Sequence, residues 1–287
     1  MSIGSALINA DDLRQWIGRE RIVQAALSPF PAQALAAALD RAEVPKAGDP
    51  LPPAWHWLYF LETPQASATG HDGHPKLGGF LPPVPLPRRM WAAARFDIVA
   101  PLVLGHTATR KTVIQSVETK TGRTGTLVFV TLNHELSQLG QLCIREEQNL
   151  VYREMPVAAV PLPPGEAAPL NADISRAVRP DPVLLFRYSA LTYNGHRIHY
   201  DRPYAIEQEF YPGLVVHGPL LATLLLDLLR EKWPEFNLVN YSFRVQRPAF
   251  DTMPFTLNGR REGDVVTLWI TDHEGQLCLS STATHSS

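Results

Sequence analysis

Residues 218–230, GPLLATLLLDLLR, place seven leucines nearly all round one helix: Leu220, Leu221, Leu224, Leu225, Leu226, Leu228 and Leu229. A helix apolar on every side has no face to offer water and must be enclosed by other elements. The apolar run from Leu214 to Leu229 is too short for a membrane span and is interrupted by His217 and Asp227. The enclosing material must therefore come from the same chain, and the residues after the helix supply it. NLVNYSFRVQRPAF, MPFTLNGRREG, DVVTLWITDHEG and QLCLSSTATH alternate apolar and polar side chains between turn signals, the pattern of an antiparallel sheet.

The first half carries a matching set of strands from Ala93 onward: ARFDIVAPL, TATRKTVIQSVETKT, GTLVFVTLNHEL and QLCIREEQNLVYRE. GQLC opens a late strand at 140–143 and again at 275–278, and RFDIVAPLVLG (95–105) is similar to SFRVQRPAFDT (242–252). The order of elements repeats with these short identities, so the chain reads as a duplication. The expected fold is α+β, with two curved antiparallel sheets and one long central helix in the C-terminal half.

Three domain segments follow: residues 1–154, a Pro- and Ala-rich linker at 155–183, and residues 184–287. In the first, residues 11–27 and 31–43 have helical spacing, with Asp11 or Asp12 as cap. PAWHWLYFLE (53–62) suits a strand or a buried helical turn, and residues 63–88 form a long loop dense in Gly, Pro and His. LLFRYSALTY (184–193) reads as a strand.

At 45% hydrophobic and 19% charged, the chain is globular in character, and its net charge of −2 argues against a nucleic-acid partner. Two cysteines, Cys143 and Cys278, are too few for a disulfide scaffold or a cysteine-based zinc site. MSIGSALINADD lacks the basic start and apolar core of a signal peptide, so a soluble cytoplasmic protein with no membrane partner is expected.

The chemistry concentrates in LTYNGHRIHYDRP, residues 191–203. His196, His199, Asp201 and His217 are plausible ligand types, as are His71, Asp72 and His74, but no HExxH or CxxC accompanies them, and no metal is expected. With Tyr193-Asn194-Gly195 read as a turn and Ile198–Asp201 as extended, His196 and His199 do not share a face. No GxSxG marks a serine nucleophile, and both cysteines lie in apolar strands. Acid/base work by histidine remains, since imidazole takes and returns protons near pH 7.

FRYSALTYNGHRIHYDRPYA (186–205), followed by GLVVHGPLLATLL (213–225), resembles the active-site signature of the MaoC-like (R)-specific hydratases and dehydratases. These are hot-dog-fold enzymes acting on enoyl thioesters of coenzyme A or acyl carrier protein. GHDGHPKLGGFLPPVPLPRRMWA (70–92) extends the likeness to the longer, double hot-dog members, in the branch of mesaconyl- and itaconyl-type CoA hydratases and hydroxyacyl-thioester dehydratases.

The resemblance puts the family histidine on His199, its acidic position on Asn194 and its asparagine on His196. It puts the helix-opening turn on His217-Gly218, where Gly218 offers a backbone N–H. Asn194 departs from the pattern because an amide cannot accept a proton. Asp201, two residues beyond His199 on the same side of an extended segment, is then expected to orient the imidazole. His196, Arg197, Arg202, His217, Arg244 and Arg247 are expected to bind substrate, through coenzyme A phosphate or a substrate carboxylate. For His71 and His74 a mobile surface loop is slightly favoured over a lid.

The implied activity is reversible hydration of an enoyl-CoA, with coenzyme A as part of the substrate and no further cofactor. A short branched dicarboxylic acyl group (itaconyl or mesaconyl) is expected, and a homodimer of double units is compatible. A 3-hydroxyacyl-thioester dehydratase, a non-catalytic thioester-binding module and a metal-dependent hydrolase remain the alternatives.

Overall fold

The segment read as one helix over 11–27 divides at Gly18, whose φ of +83° takes the chain out of α1 (Ala10–Arg14) and into a strand, β1 (Glu20–Ala26). The computed structural model that shows this describes residues 10–122, 125–159, 161, 162 and 164–286. Most of the stretch tested for a signal peptide, and the Arg123-Thr124 centre of the TKTGRTG turn, lie outside the described residues. β1 alternates exposed and half-buried positions and pairs with the edge of the first sheet. Its two-residue period decides against the helix.

The helix α2 (Pro29–Ala38) then contributes Ala32, Leu35 and Ala36 to the core. PAWHWLYFLE takes the second of its two readings: Trp55–Leu58 is a buried 3₁₀ turn. β2 (Arg88–Ile98) starts five residues before the expected Ala93, and β3 (Thr107–Gly122), β4 (Gly125–Gln138) and β5 (Gln141–Arg153) follow as read.

The stretch read as linker, 155–183, ends in structure. It contains β6 (Ile174–Val178), an edge strand paired with the second sheet, and the start of α3 (Pro182–Leu191). The run LLFRYSALTY is therefore helical and not a strand. The Asp181 side chain accepts from the Leu184 N–H, and Pro182 occupies the first turn, where its missing N–H loses nothing. After α4 (Arg202–Glu207) comes the long helix α5 (Gly218–Lys232), then β7 (Leu238–Val245), β8 (Phe255–Glu262), β9 (Val265–Thr271) and β10 (Leu277–His285).

The strands form one antiparallel ten-stranded sheet in the order β1-β3-β4-β5-β2-β7-β10-β9-β8-β6. Each half contributes five strands, and β2 pairs with β7 where the halves meet. The duplication shows in atomic detail. The Val99 and Ala100 N–H groups both donate to the Cys143 carbonyl, and the Gln246 and Arg247 N–H groups both donate to that of Cys278. Gly140 and Gly275 turn with φ of +79° and +80°. Both thiols are buried and reduced, and burial pushes both above their ordinary range, Cys278 up to about 12.

Every residue of α5 from Leu220 to Leu229 is buried, as its composition demands. Each enclosed leucine contributes on the order of 1.5–3 kcal/mol relative to exposure. The one acid among them, Asp227, pairs with Arg41 of the first half and Arg176 of β6, so no uncompensated charge enters the core. The first half has no comparable helix among the described residues. Its sheet instead faces the 51–86 segment and a cavity of about 1410 Å³ that reaches the N-terminus of α5.

Candidate active site

Three segments build the site, and each is set by its own local chemistry. The first is the turn from Tyr193 (φ +49°) through a 3₁₀ turn at Arg197–His199. That turn, rather than an extended strand, brings His196 and His199 together, with their rings edge to face at 5.4 Å. The second is the entry to α5. The Val215 N–H donates to the Ile198 carbonyl at 3.0 Å, and the His199 Nδ1–H donates to the Val215 carbonyl at 2.7 Å. Nδ1 is committed to a carbonyl, so the proton sits there and Nε2 keeps its lone pair. His199 lines the cavity and is 7% exposed. Burial, followed by the neighbouring His217 and His196, holds its pKa well below the ordinary histidine value.

His217 stands just before α5 without capping it through its side chain. Its ring stacks on His199 at 3.7 Å and 18°, and Nε2 meets the Ser189 hydroxyl at 2.8 Å. Burial pushes its pKa down to about 3, with His196 adding to the shift. Gly218 follows, and its amide heads the helix where no preceding turn supplies an acceptor. A Cβ on Gly218 would lie 3.2 Å from Val245 Cγ2 and 3.5 Å from the Trp91 carbonyl, and Gly218 itself lines the cavity.

Asn194 lines the cavity with a fixed orientation. Its Oδ1 accepts from the His196 N–H at 3.0 Å, so the Nδ2 amino group is the free end. It can donate to a bound water and cannot take a proton from one.

The third segment comes from the first half, where the sequence favours a mobile surface loop. GHDGH (70–74) is instead docked on the site. The Arg197 N–H donates to the Asp72 carbonyl at 2.9 Å, and the Arg197 guanidinium donates to the His71 carbonyl at 3.2 Å. A Cβ on Gly73, which has φ of +89°, would collide with the Gly195 carbonyl. The two glycine backbones meet at a distance that tolerates no side chain on Gly73.

His74 lies over His196 at 4.1 Å, and its Nδ1 donates to Asp72 Oδ2 at 2.8 Å. Burial and the nearby Arg89 push His74 down to about 3. Burial alone would raise Asp72, but the His74 hydrogen bonds hold it well below the usual carboxylate range. Asp72, His74 and His196 offer donor atoms within 4.8 Å of one another, close enough to hold an ion. As the cluster stands, Asp72 already accepts from the His74 backbone and ring, and the His74 and His196 rings lie tilted at 37° to each other.

Several expectations are corrected. Asp201 does not orient His199. It caps α4 through the Tyr204 N–H and is gripped by Arg197 through Nε and Nη2 at 2.9 and 2.7 Å. Arg202 pairs with Asp251, and none of Arg197, Asp201 or Arg202 lines the cavity. Arg244 and Arg247 do line it; Arg244 is exposed and Arg247 pairs with Asp272 at 3.2 Å. Glu209 escaped the sequence reading. It is 3% exposed, lies 3.5 Å from His196 Nε2 and accepts from Arg88 Nε at 2.9 Å, a contact 121 residues apart in the chain.

Residues 54–251 match the family of hydroxyacyl-thioester dehydratases type 2. The chain belongs to this family. It is 49% identical over 277 residues to the mesaconyl-C(4)-CoA hydratase of Chloroflexus aurantiacus, covering 96% of this chain and 98% of that one. It is 30% identical over 246 residues to the mitochondrial hydroxyacyl-thioester dehydratase type 2 of Schizosaccharomyces pombe, covering 77% and 80%. Among solved structures, a MaoC-like dehydratase superposes with a TM-score of 0.67 at 13% identity, over 94% of this chain and 98% of that one. A Mycobacterium tuberculosis protein described as a double hotdog fold gives 0.61 at 12%, over 96% and 98%. These two likenesses support the fold alone. The family match and the two relatives make this member a hydratase/dehydratase, a hydro-lyase acting on acyl thioesters. Among the described residues, no helix is long and apolar enough to cross a membrane.

Proposed function

We propose that this family member hydrates the enoyl-CoA thioester of a short, methyl-branched unsaturated diacid, the mesaconyl-C4 type, with His199 as the acid/base. The observation that carries the substrate reading is the lining of the cavity on the first-half side. Arg89, Arg110, His134, Glu146 and Gln148 face it, and the buried Glu146 accepts from Trp57 Nε1 at 2.8 Å and pairs with His56 at 3.1 Å. Glu146, His134 and Arg110 already have protein partners, but a long hydrocarbon chain would strip water from the half-exposed Arg89 without replacing its hydrogen bonds. A short polar acyl group would not. The 49% identity to an enzyme named for mesaconyl-C(4)-CoA favours the same class.

The geometry supports the following chemistry. A water held by a hydrogen bond from Asn194 Nδ2 gives a proton to His199 Nε2 as its oxygen bonds to the β-carbon. The π electrons move toward the thioester carbonyl, whose growing charge is met by the Gly218 N–H and the positive end of α5. Imidazolium His199 then returns the proton to the α-carbon, so water has added across the double bond and the base is restored. Dehydration is the same path in reverse. Because Nδ1–H is fixed on the Val215 carbonyl and burial disfavours the charged ring, His199 waits in the neutral form that this cycle needs.

The test is a panel of mesaconyl-C4-, itaconyl-, crotonyl- and longer enoyl-CoAs with purified protein, followed by loss of enoyl-thioester absorbance. Preference for mesaconyl-C4-CoA is expected. A preference for long, neutral enoyl chains would sink the substrate reading, and full activity in His199→Gln would sink the acid/base assignment.

A further inference from the structure

We propose that Arg89 is the specificity-determining residue that receives the free carboxylate of the acyl group; this rests on the diacid reading above. Arginines are abundant around the cavity, and their partners sort them. Arg21 pairs with Glu62, Arg88 with Glu209 and Arg247 with Asp272. Arg110 donates to the Phe60 carbonyl and lies close to Glu146. Arg153 and Arg244 are exposed, at the solvent edge, where coenzyme A phosphates would be met.

Arg89 differs from all of these. It lines the cavity, is only half-exposed, and forms no ion pair with a carboxylate among the described residues. Two neutral groups lie near it: the cross-strand partner Tyr152, whose hydroxyl it approaches, and His74. A guanidinium partly removed from water beside neutral groups is a site for an anion, and its planar fork matches a carboxylate with two parallel hydrogen bonds.

Its position suits the reacting centre. The strand carrying Arg89 continues to Trp91, whose carbonyl lies against Gly218 at the head of α5. On the other side Arg89 neighbours His74, which lies over His196, itself edge to face with His199. The guanidinium is thus on the acyl side of the water-handling residues. In a mesaconyl-C4 thioester the free carboxylate is attached to the β-carbon, the atom that receives water. Arginine at this place would fix that carbon as well as recognise the substituent.

The test compares two unreactive ligands that differ in this one group. Succinyl-CoA carries a carboxylate on its β-carbon, and butyryl-CoA carries a methyl group there. Binding of each to the full chain is measured by calorimetry for wild type, Arg89→Gln and Arg89→Lys. Wild type should prefer succinyl-CoA. Arg89→Gln should weaken succinyl-CoA about 10- to 100-fold, with a much smaller change for butyryl-CoA, and Arg89→Lys should restore part of the loss. Equal loss for both ligands in Arg89→Gln means a structural role and overturns the proposal. A preference for succinyl-CoA that survives in Arg89→Gln overturns the assignment to Arg89 and leaves the diacid reading standing. Tighter wild-type binding of butyryl-CoA overturns both.

Discussion

The buried imidazole of His217 should make this protein acid-labile by an amount that one substitution removes. Folded, His217 is 1% exposed, and burial takes its pKa from 6.5 to about 3. Unfolded, it returns to about 6.5. Between these values the unfolded chain holds a proton that the folded chain does not, so acid favours unfolding. The contribution is complete above about pH 6.5 and is lost as the pH falls toward 3. From pH 8 to pH 5 the loss is about 2 kcal/mol for this one residue, at about 1.4 kcal/mol per pH unit once below 6.5. His199 acts in the same direction, and His74, with its side chain 18% exposed, adds a smaller amount. Urea denaturation at 25 °C and at several pH values measures the curve for wild type and His217→Gln. The variant loses the contact with Ser189, worth about 1 kcal/mol at every pH, but its decline from pH 8 to pH 5 should be shallower by about 2 kcal/mol. Parallel curves for the two proteins would refute the reasoning, because His217 would then titrate alike folded and unfolded.

Further outcomes follow from the site. His199→Gln removes the base while keeping a group of similar size, and kcat for hydration should fall by about 10²–10⁴ in a stopped or continuous assay. The acid limb of kcat/KM in wild type should lie below pH 6.5, because His199 is held neutral to well under its ordinary range. Asn194→Ala leaves the His196 N–H without its acceptor and removes the donor to water, so kcat should drop on the order of tenfold to a hundredfold with the fold retained by circular dichroism. Gly73→Ala should undock the 70–74 loop, because its Cβ meets the Gly195 carbonyl, and limited proteolysis should detect new cleavage there together with loss of turnover.

The sequence was most informative where burial is nearly complete or where strands alternate. The α5 leucines have no solvent face, so their helix and its enclosure could be read directly. β3 to β5 and β7 to β10 carry two-residue periods between turns, and the repeated GQLC marks the same carbonyl geometry twice. Structure departs from composition where short local signals compete with it. LLFRYSALTY is rich in strand formers, but Asp181-Pro182 just before it is a cap and a first-turn proline, and those two residues decide for helix. ERIVQAA went the other way, because its edge pairing with β3 is a long-range contact that helical spacing cannot reveal. Glu209 lies outside every motif, and only the fold joins it to Arg88, 121 residues away in the chain.

The duplication itself explains why the site is asymmetric. Both halves keep the same strand-end geometry at Cys143 and Cys278, so both retain the frame of the ancestral sheet. Among the described residues only the second fills its sheet with a long helix, and on the proposed reading the helix N-terminus at Gly218 gives the thioester oxygen its N–H. The first half instead lines the cavity with residues such as Phe129, His134 and Leu150. That half is thereby free to differ in lining without disturbing the base, the helix or the Val215 carbonyl. On the proposed reading, substrate choice falls to residues such as Arg89 and His74 on one side, while the water-handling pair, Asn194 and His199, stays on the other. The Gly73–Gly195 contact locks the two sides at one distance, which is why a residue with no chemistry of its own should be among the most sensitive in the chain.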